Sequence, residues 1–102
     1  MRIIAIKTLR DFWQRYPDAR KPLMDWFETT EASHWQSFVD VRQTFGSADI
    51  AKVDSGNTAT IFDIGGNKYR LIAAIHYNAG VVYAMMVLTH KEYATNKWKA
   101  RL

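Results

Sequence analysis

Toward the C-terminal end of the chain, an apolar run from Val81 to Leu88 stops abruptly at Thr89-His90-Lys91-Glu92-Tyr93, a cluster of titratable side chains. Upstream, Lys68 and Arg70 alternate with Tyr69 and Leu71. In a strand, where side chains alternate with period two, Lys68, Arg70 and Ile72 would share one face and Tyr69, Leu71 and Ala73 the other. Histidine, arginine, lysine and tyrosine together cover what metal-free cleavage of an RNA backbone needs. That is a base for the 2′-hydroxyl proton, a cation for the charge on the phosphorane and an acid for the leaving 5′-oxygen. Histidine titrates nearest neutral pH, so His90 is the first candidate for base or acid. Arg70 suits a planar, bidentate phosphate contact, Lys91 or Lys68 a compact point charge, and Tyr93 a proton donor or a stacking surface. The same residues could equally be a strand-end histidine, a core tyrosine and solvated cations, and spacing alone does not choose between these readings.

The elements that must position these residues follow from periodicity. Ile3, Ile4 and Ile6 form a short β-branched run; Thr8 offers a helix N-cap ahead of Leu9, Phe12, Trp13 and Tyr16, and Pro17 ends that helix. A second helix is expected over 19–32, with Pro22 tolerated in its first turn, and a third from Ser37, with Phe38, Val41 and Phe45, stopped by Gly46. A polar loop through Ser55-Gly56-Asn57 follows. The period then changes: Thr58 to Ile64, Lys68 to Tyr77 and Val81 to Leu88 read as strands joined by Gly65-Gly66-Asn67 and Asn78-Ala79-Gly80, links suited to antiparallel hairpins. The expected class is α+β: one domain over 1–102, with a twisted antiparallel sheet made of the N-terminal strand and a three-stranded meander, and helices on one face. Asp63 reads as a turn residue, and the segment around Trp98 as helical or loose.

Charge is distributed unevenly. The net charge is +4, yet residues 1–63 hold eight Lys/Arg against nine Asp/Glu, while residues 64–102 hold Lys68, Arg70, Lys91, Lys97, Lys99 and Arg101 against Glu92 alone. A basic C-terminal part argues for a polyanionic partner, nucleic acid first, with Lys68, Lys97 and Lys99 as expected RNA contacts. There is no cysteine, which removes disulfides and thiol chemistry. The opening run is far shorter than a secretory or membrane-spanning segment, so a cytoplasmic protein without a membrane partner is expected. His34 and His76 are isolated, and neither a metal nor a cofactor is expected. The Gly65-Gly66 pair lacks the spacing of a phosphate-binding loop. The Phe12, Trp13, Tyr16 run reads as core rather than as a groove for a partner.

The segment Ile61-Phe62-Asp63-Ile64-Gly65-Gly66-Asn67-Lys68-Tyr69-Arg70-Leu71-Ile72-Ala73, followed by Leu88-Thr89-His90-Lys91-Glu92-Tyr93, resembles the HigB toxins of the RelE-like superfamily. These combine an F-x-[IV]-G-G-N-x-[YF]-R strand pair with a T-H-x-x-Y terminus, and the opening strand and helix with Tyr16-Pro17 fit as well. The resemblance implies a RelE-like fold and metal-independent cleavage of mRNA on the translating ribosome through the 2′-hydroxyl. It also implies a cognate helix-turn-helix antitoxin of the HigA kind. On the matching positions it points to Asn67, Arg70, His90, Lys91 and Tyr93. Two other classes remain compatible with the residues: an inert RNA- or ribosome-binding module that blocks translation by occupancy, and a pure interaction protein.

Overall fold

Five strands form one sheet in the order β1-β5-β4-β3-β2 in the computed structural model, which describes residues 1–102. The strands are β1 (Arg2–Ile4), β2 (Asp49–Lys52), β3 (Thr58–Ile64), β4 (Tyr69–His76) and β5 (Val81–Thr89). Helices α1 (Ile6–Arg15), α2 (Arg20–Glu31) and α3 (Phe38–Thr44) lie between β1 and β2; α4 (His90–Ala94) and a 3₁₀ segment, Lys97–Arg101, follow β5. No helix is long and apolar enough to cross a membrane.

The α+β class and the three-stranded meander stand as expected, but the sheet is mixed and has one more strand. β1 runs parallel to β5, with Ile3 opposite Val82. The apolar pattern could not reveal the direction, because Ile3 meets the same face of the sheet in either orientation; the helical crossover between β1 and the meander makes the parallel pairing possible. β2 lies within the stretch expected to be loop and pairs antiparallel with β3, Ala51 opposite Ala59. Its sequence, Asp-Ile-Ala-Lys, carries little strand propensity, and the free hydrogen-bonding edge of β3 recruits it. Helix α1 also starts earlier than Thr8 suggests: Ala5, with φ 72°, precedes it, and Thr8 lies in the first turn, donating its amide to the Ala5 carbonyl.

Alternation along the strands divides the core in two. Tyr69, Leu71, Ala73, Phe62, Ile64, Val82 and Val87 pack under Leu9, Phe12, Leu23, Trp26 and Trp35 from the N-terminal helical half. Ala59, Ile61, Ile72 and Leu88 face the other way, where Val53 and Trp98 cover them. Helices α1 to α3 therefore occupy one face, as expected. The opposite face is covered in part by α4 and the C-terminal segment, whose Trp98 is only 2% exposed. Met85 has no partner across β4, since Ile72 pairs with Met86 and Ala73 with Ala84; this bulge kinks β5 and leaves the Met85 side chain exposed.

Candidate functional site

The β3–β4 hairpin closes on the Ile64–Tyr69 pair, with Gly65 and Gly66 both at positive φ in the link. That register sets Asp63 directly opposite Arg70 on the face turned away from α1 and α2. Arg70 Nε lies 3.0 Å from Asp63 Oδ1, and the Arg70 side chain is only 12% exposed. Its Nη1 donates to the carbonyl oxygens of Asn67 at 2.9 Å and Tyr69 at 3.2 Å. Three of the guanidinium's contacts thus belong to its own hairpin, while Nη2 has no protein acceptor.

Helix α4 brings Tyr93 to this cation. Thr89 and Glu92 form a capping box: the Glu92 amide donates to Thr89 Oγ1, and the Thr89 amide donates to Glu92 Oε1 at 2.9 Å. The His90 amide donates to the Lys68 carbonyl at 3.0 Å, tying the start of α4 to the hairpin link. The helix then sets the Tyr93 ring 5.3 Å from the Arg70 guanidinium carbon. Trp98 stacks on that ring, with centroids 5.6 Å apart and planes 17° from parallel, and its indole Nε1 donates to the Tyr93 carbonyl. Arg70 is therefore held edge-on by a carboxylate and carbonyls and face-on by a phenol. Burial pushes the Tyr93 phenol above its ordinary pKa; Arg70 opposes this, and the carboxylates of Asp49 and Asp63 add to it. The Tyr93 hydroxyl accordingly stays protonated at neutral pH.

Of the other sequence-predicted residues, His90 and Lys91 are exposed at the head of α4, beside this pair in sequence and free of side-chain partners. Asn67 is exposed and contributes its carbonyl to Arg70. Lys97 is exposed, and the Lys99 ammonium lies 5.6 Å from the Trp98 ring centroid.

Lys68 departs from expectation. It precedes β4 and belongs to the link, and its ammonium pairs with Asp18 at 2.8 Å instead of sharing a face with Arg70. Asp18 also accepts from the Tyr69 hydroxyl at 2.5 Å, so both bonds lie on the side of the sheet where Tyr69 packs. These bonds, that from Lys68 foremost, hold the Asp18 carboxyl below its usual range, and Asp18 in turn pushes the Tyr69 phenol up to about 12. Asp63 is the residue that sequence reasoning missed. A hairpin closing at Ile64 and Tyr69 places opposite charges at the next pair outward, and that signal was available. His76 lies edge-on to Tyr83, with centroids 5.2 Å apart, near the far end of β4. No three His, Asp or Glu side chains gather where they could hold a metal ion.

The model of the HigB toxins, described as the RelE-like toxic component of a toxin-antitoxin system, matches residues 19–96. The chain belongs to the HigB toxin family. An mRNA interferase toxin HigB from Escherichia coli (strain K12) is 28% identical over 93 residues, covering 91% of this chain and 88% of the relative. Proteins named mRNA interferase HigB from Escherichia coli O157:H7 and Shigella flexneri match to the same extent. The span matched to the HigB family includes Asp63, Arg70, His90, Lys91 and Tyr93 and stops short of the basic segment at Lys97–Arg101.

Proposed function

We infer that this protein is the toxin of a toxin-antitoxin pair and an endoribonuclease that cuts mRNA through attack of a 2′-hydroxyl on the adjacent phosphorus. One observation carries the chemistry. The Arg70 guanidinium is fixed on three sides by Asp63, hairpin carbonyls and the Tyr93 ring, with Nη2 left over for a phosphate oxygen. A preorganised cation stabilises the charge that develops on the phosphorane without reorganising as it forms. His90, exposed at the head of α4, takes the 2′-hydroxyl proton. Tyr93 delivers a proton to the departing 5′-oxygen, and the bond from phosphorus to that oxygen breaks as the bond to the 2′-oxygen forms, leaving a cyclic phosphate. Lys91 adds a point charge on the phosphate, Asn67 shapes the link that bonds Arg70, and Lys97 and Lys99 attract the RNA backbone, whereas Lys68 is engaged by Asp18 on the other side of the sheet. The likeness to mRNA interferases supports mRNA as the substrate.

The same reading makes the translating ribosome in the cytoplasm the place of action and a separately encoded helix-turn-helix protein the neutralising partner. Primer extension on a reporter mRNA after brief induction tests it, with native protein compared against His90→Ala and Arg70→Ala. New 5′ ends in codon register, lost in both variants, are the expected result. Intact mRNA under full translation arrest would replace this reading with a non-catalytic module that blocks the ribosome by occupancy.

A further inference from the structure

The face of the sheet that carries Arg70 holds a second feature which the cleavage chemistry leaves unused. A cavity of about 210 Å³ opens there, lined by Ala59 of β3, Ala74 of β4, the bulged Met85, Asn57, Thr58 and Arg101, among others. Small alanines in a sheet otherwise rich in branched side chains create the space, and the bulge at Met85 keeps it from closing. Its polar groups are only lightly engaged within the chain. The Asn57 side-chain amide, a donor and an acceptor on one plane, makes no hydrogen bond within the chain, and Arg101 forms no ion pair, its Nη2 lying 3.6 Å from the Met86 sulfur.

The cavity is not isolated from the candidate site. A hollow of about 340 Å³ beside α4, lined by Leu88, Glu92, Lys97 and Trp98 among others, shares Arg101 with it. Ala74 lies four positions beyond Arg70 on the same strand, about 13 Å away at the rise of an extended chain. A slot with apolar walls suits the π face of a base, an unpartnered amide suits its hydrogen-bonding edge, and an uncompensated guanidinium suits its phosphate.

We propose that this cavity is a nucleobase subsite, holding an unstacked base of the same RNA strand whose scissile phosphate meets Arg70, with Asn57 on the base edge and Arg101 on the phosphate. The proposal rests on the endoribonuclease reading and deepens it.

The test is anisotropy of a short single-stranded RNA carrying 2′-O-methyl riboses, which cannot be cut, and of the same RNA with one abasic position moved along its length. One abasic position is expected to weaken binding roughly tenfold, the scale of returning about 60 Å² of apolar base surface to water. That penalty should vanish in Ala74→Leu, which fills the slot, and in Asn57→Ala, an exposed loop change that leaves the fold intact by circular dichroism. An abasic penalty that persists in both variants overturns the subsite, and so does loss of binding to the neutralising protein in Ala74→Leu with RNA affinity unchanged. In either case, RNA affinity that still falls with salt and with Arg70→Gln leaves the nuclease reading standing. RNA binding by native protein that responds to neither salt nor Arg70→Gln overturns both.

Discussion

Replacing Tyr93 by Phe removes a single oxygen, and because the Tyr93 hydroxyl has no partner within the chain, the surrounding structure has no reason to move. The ring stays stacked on Trp98, and the Arg70 guanidinium stays over its face. Stability should therefore change by less than about 1 kcal/mol, or no more than roughly 4–8 °C in Tm for a domain of this size. Loss of a general acid costs about 10²–10⁴-fold in rate, which is roughly 3–5 kcal/mol of barrier. The two scales separate cleanly. Tyr93→Ala would not separate them: it also removes the stack, worth about 0.5–1.5 kcal/mol, and the cation–π contact, about 0.5–1 kcal/mol, and lets Arg70 swing free. The assay is single-turnover cleavage of a reporter mRNA in a translating extract, beside thermal unfolding of the same samples. Since burial holds the phenol above its ordinary value of 10.0, native protein should show no alkaline loss of the acid between neutral and mildly alkaline pH. A Phe variant that cuts at the native rate with native Tm refutes the assignment of Tyr93 as proton donor.

Other consequences follow from the same geometry. Arg70→Lys keeps the charge but loses the fork that reaches Asp63 and two carbonyls at once, and cleavage should fall about 10²-fold or more with RNA affinity little changed; comparing cleavage rate with anisotropy checks this. Asp63→Asn removes a negative charge beside the phosphate position yet frees Arg70, so RNA should bind as tightly or more tightly while cleavage slows about 10²-fold; slower cleavage caused only by weaker binding would contradict the positioning role. Tyr69 has its folded pKa raised to about 12, so its contribution to stability is complete below pH 10.0 and is lost as pH rises through about 12. Asp18, whose pKa is lowered, has the opposite sign: its contribution is present above 3.8 and disappears as pH falls through the depressed value. Urea midpoints against pH should therefore show an alkaline decline that Tyr69→Phe flattens. Ala5 sits at φ 72°, a conformation costly for any residue with a Cβ, and Ala5→Gly should raise stability by about 1 kcal/mol, read as a higher Tm.

The strands of the meander were legible because each is long enough for period-two alternation to declare itself and each is bounded by glycine or asparagine. The end of β5 at Thr89 was legible for the same reason, since the apolar run breaks where the chain turns into a capped helix. β2 was hidden because a four-residue edge strand is specified by the open edge beside it rather than by its own composition. The parallel direction of β1 was hidden because alternation carries information about faces and none about direction.

The misplacement of Lys68 and the oversight of Asp63 have a single physical source. Period-two alternation carried through Lys68 runs one residue past the strand, because the pairing begins at Tyr69. Inside the pairing, a side chain's face is dictated by the pleat; outside it, in a link with two glycines at positive φ, backbone torsion decides, and Lys68 swings to Asp18 instead. The same boundary fixes what stands opposite Arg70. With Ile64 and Tyr69 as the closing pair, the residue across from Arg70 must be Asp63, so one hairpin register both releases a cation to the helical side and supplies the counter-charge that holds the other in place. The guanidinium's orientation toward Tyr93 is therefore set by the length of a glycine-containing link, and the reactive geometry depends on the turn as much as on the residues that would touch RNA.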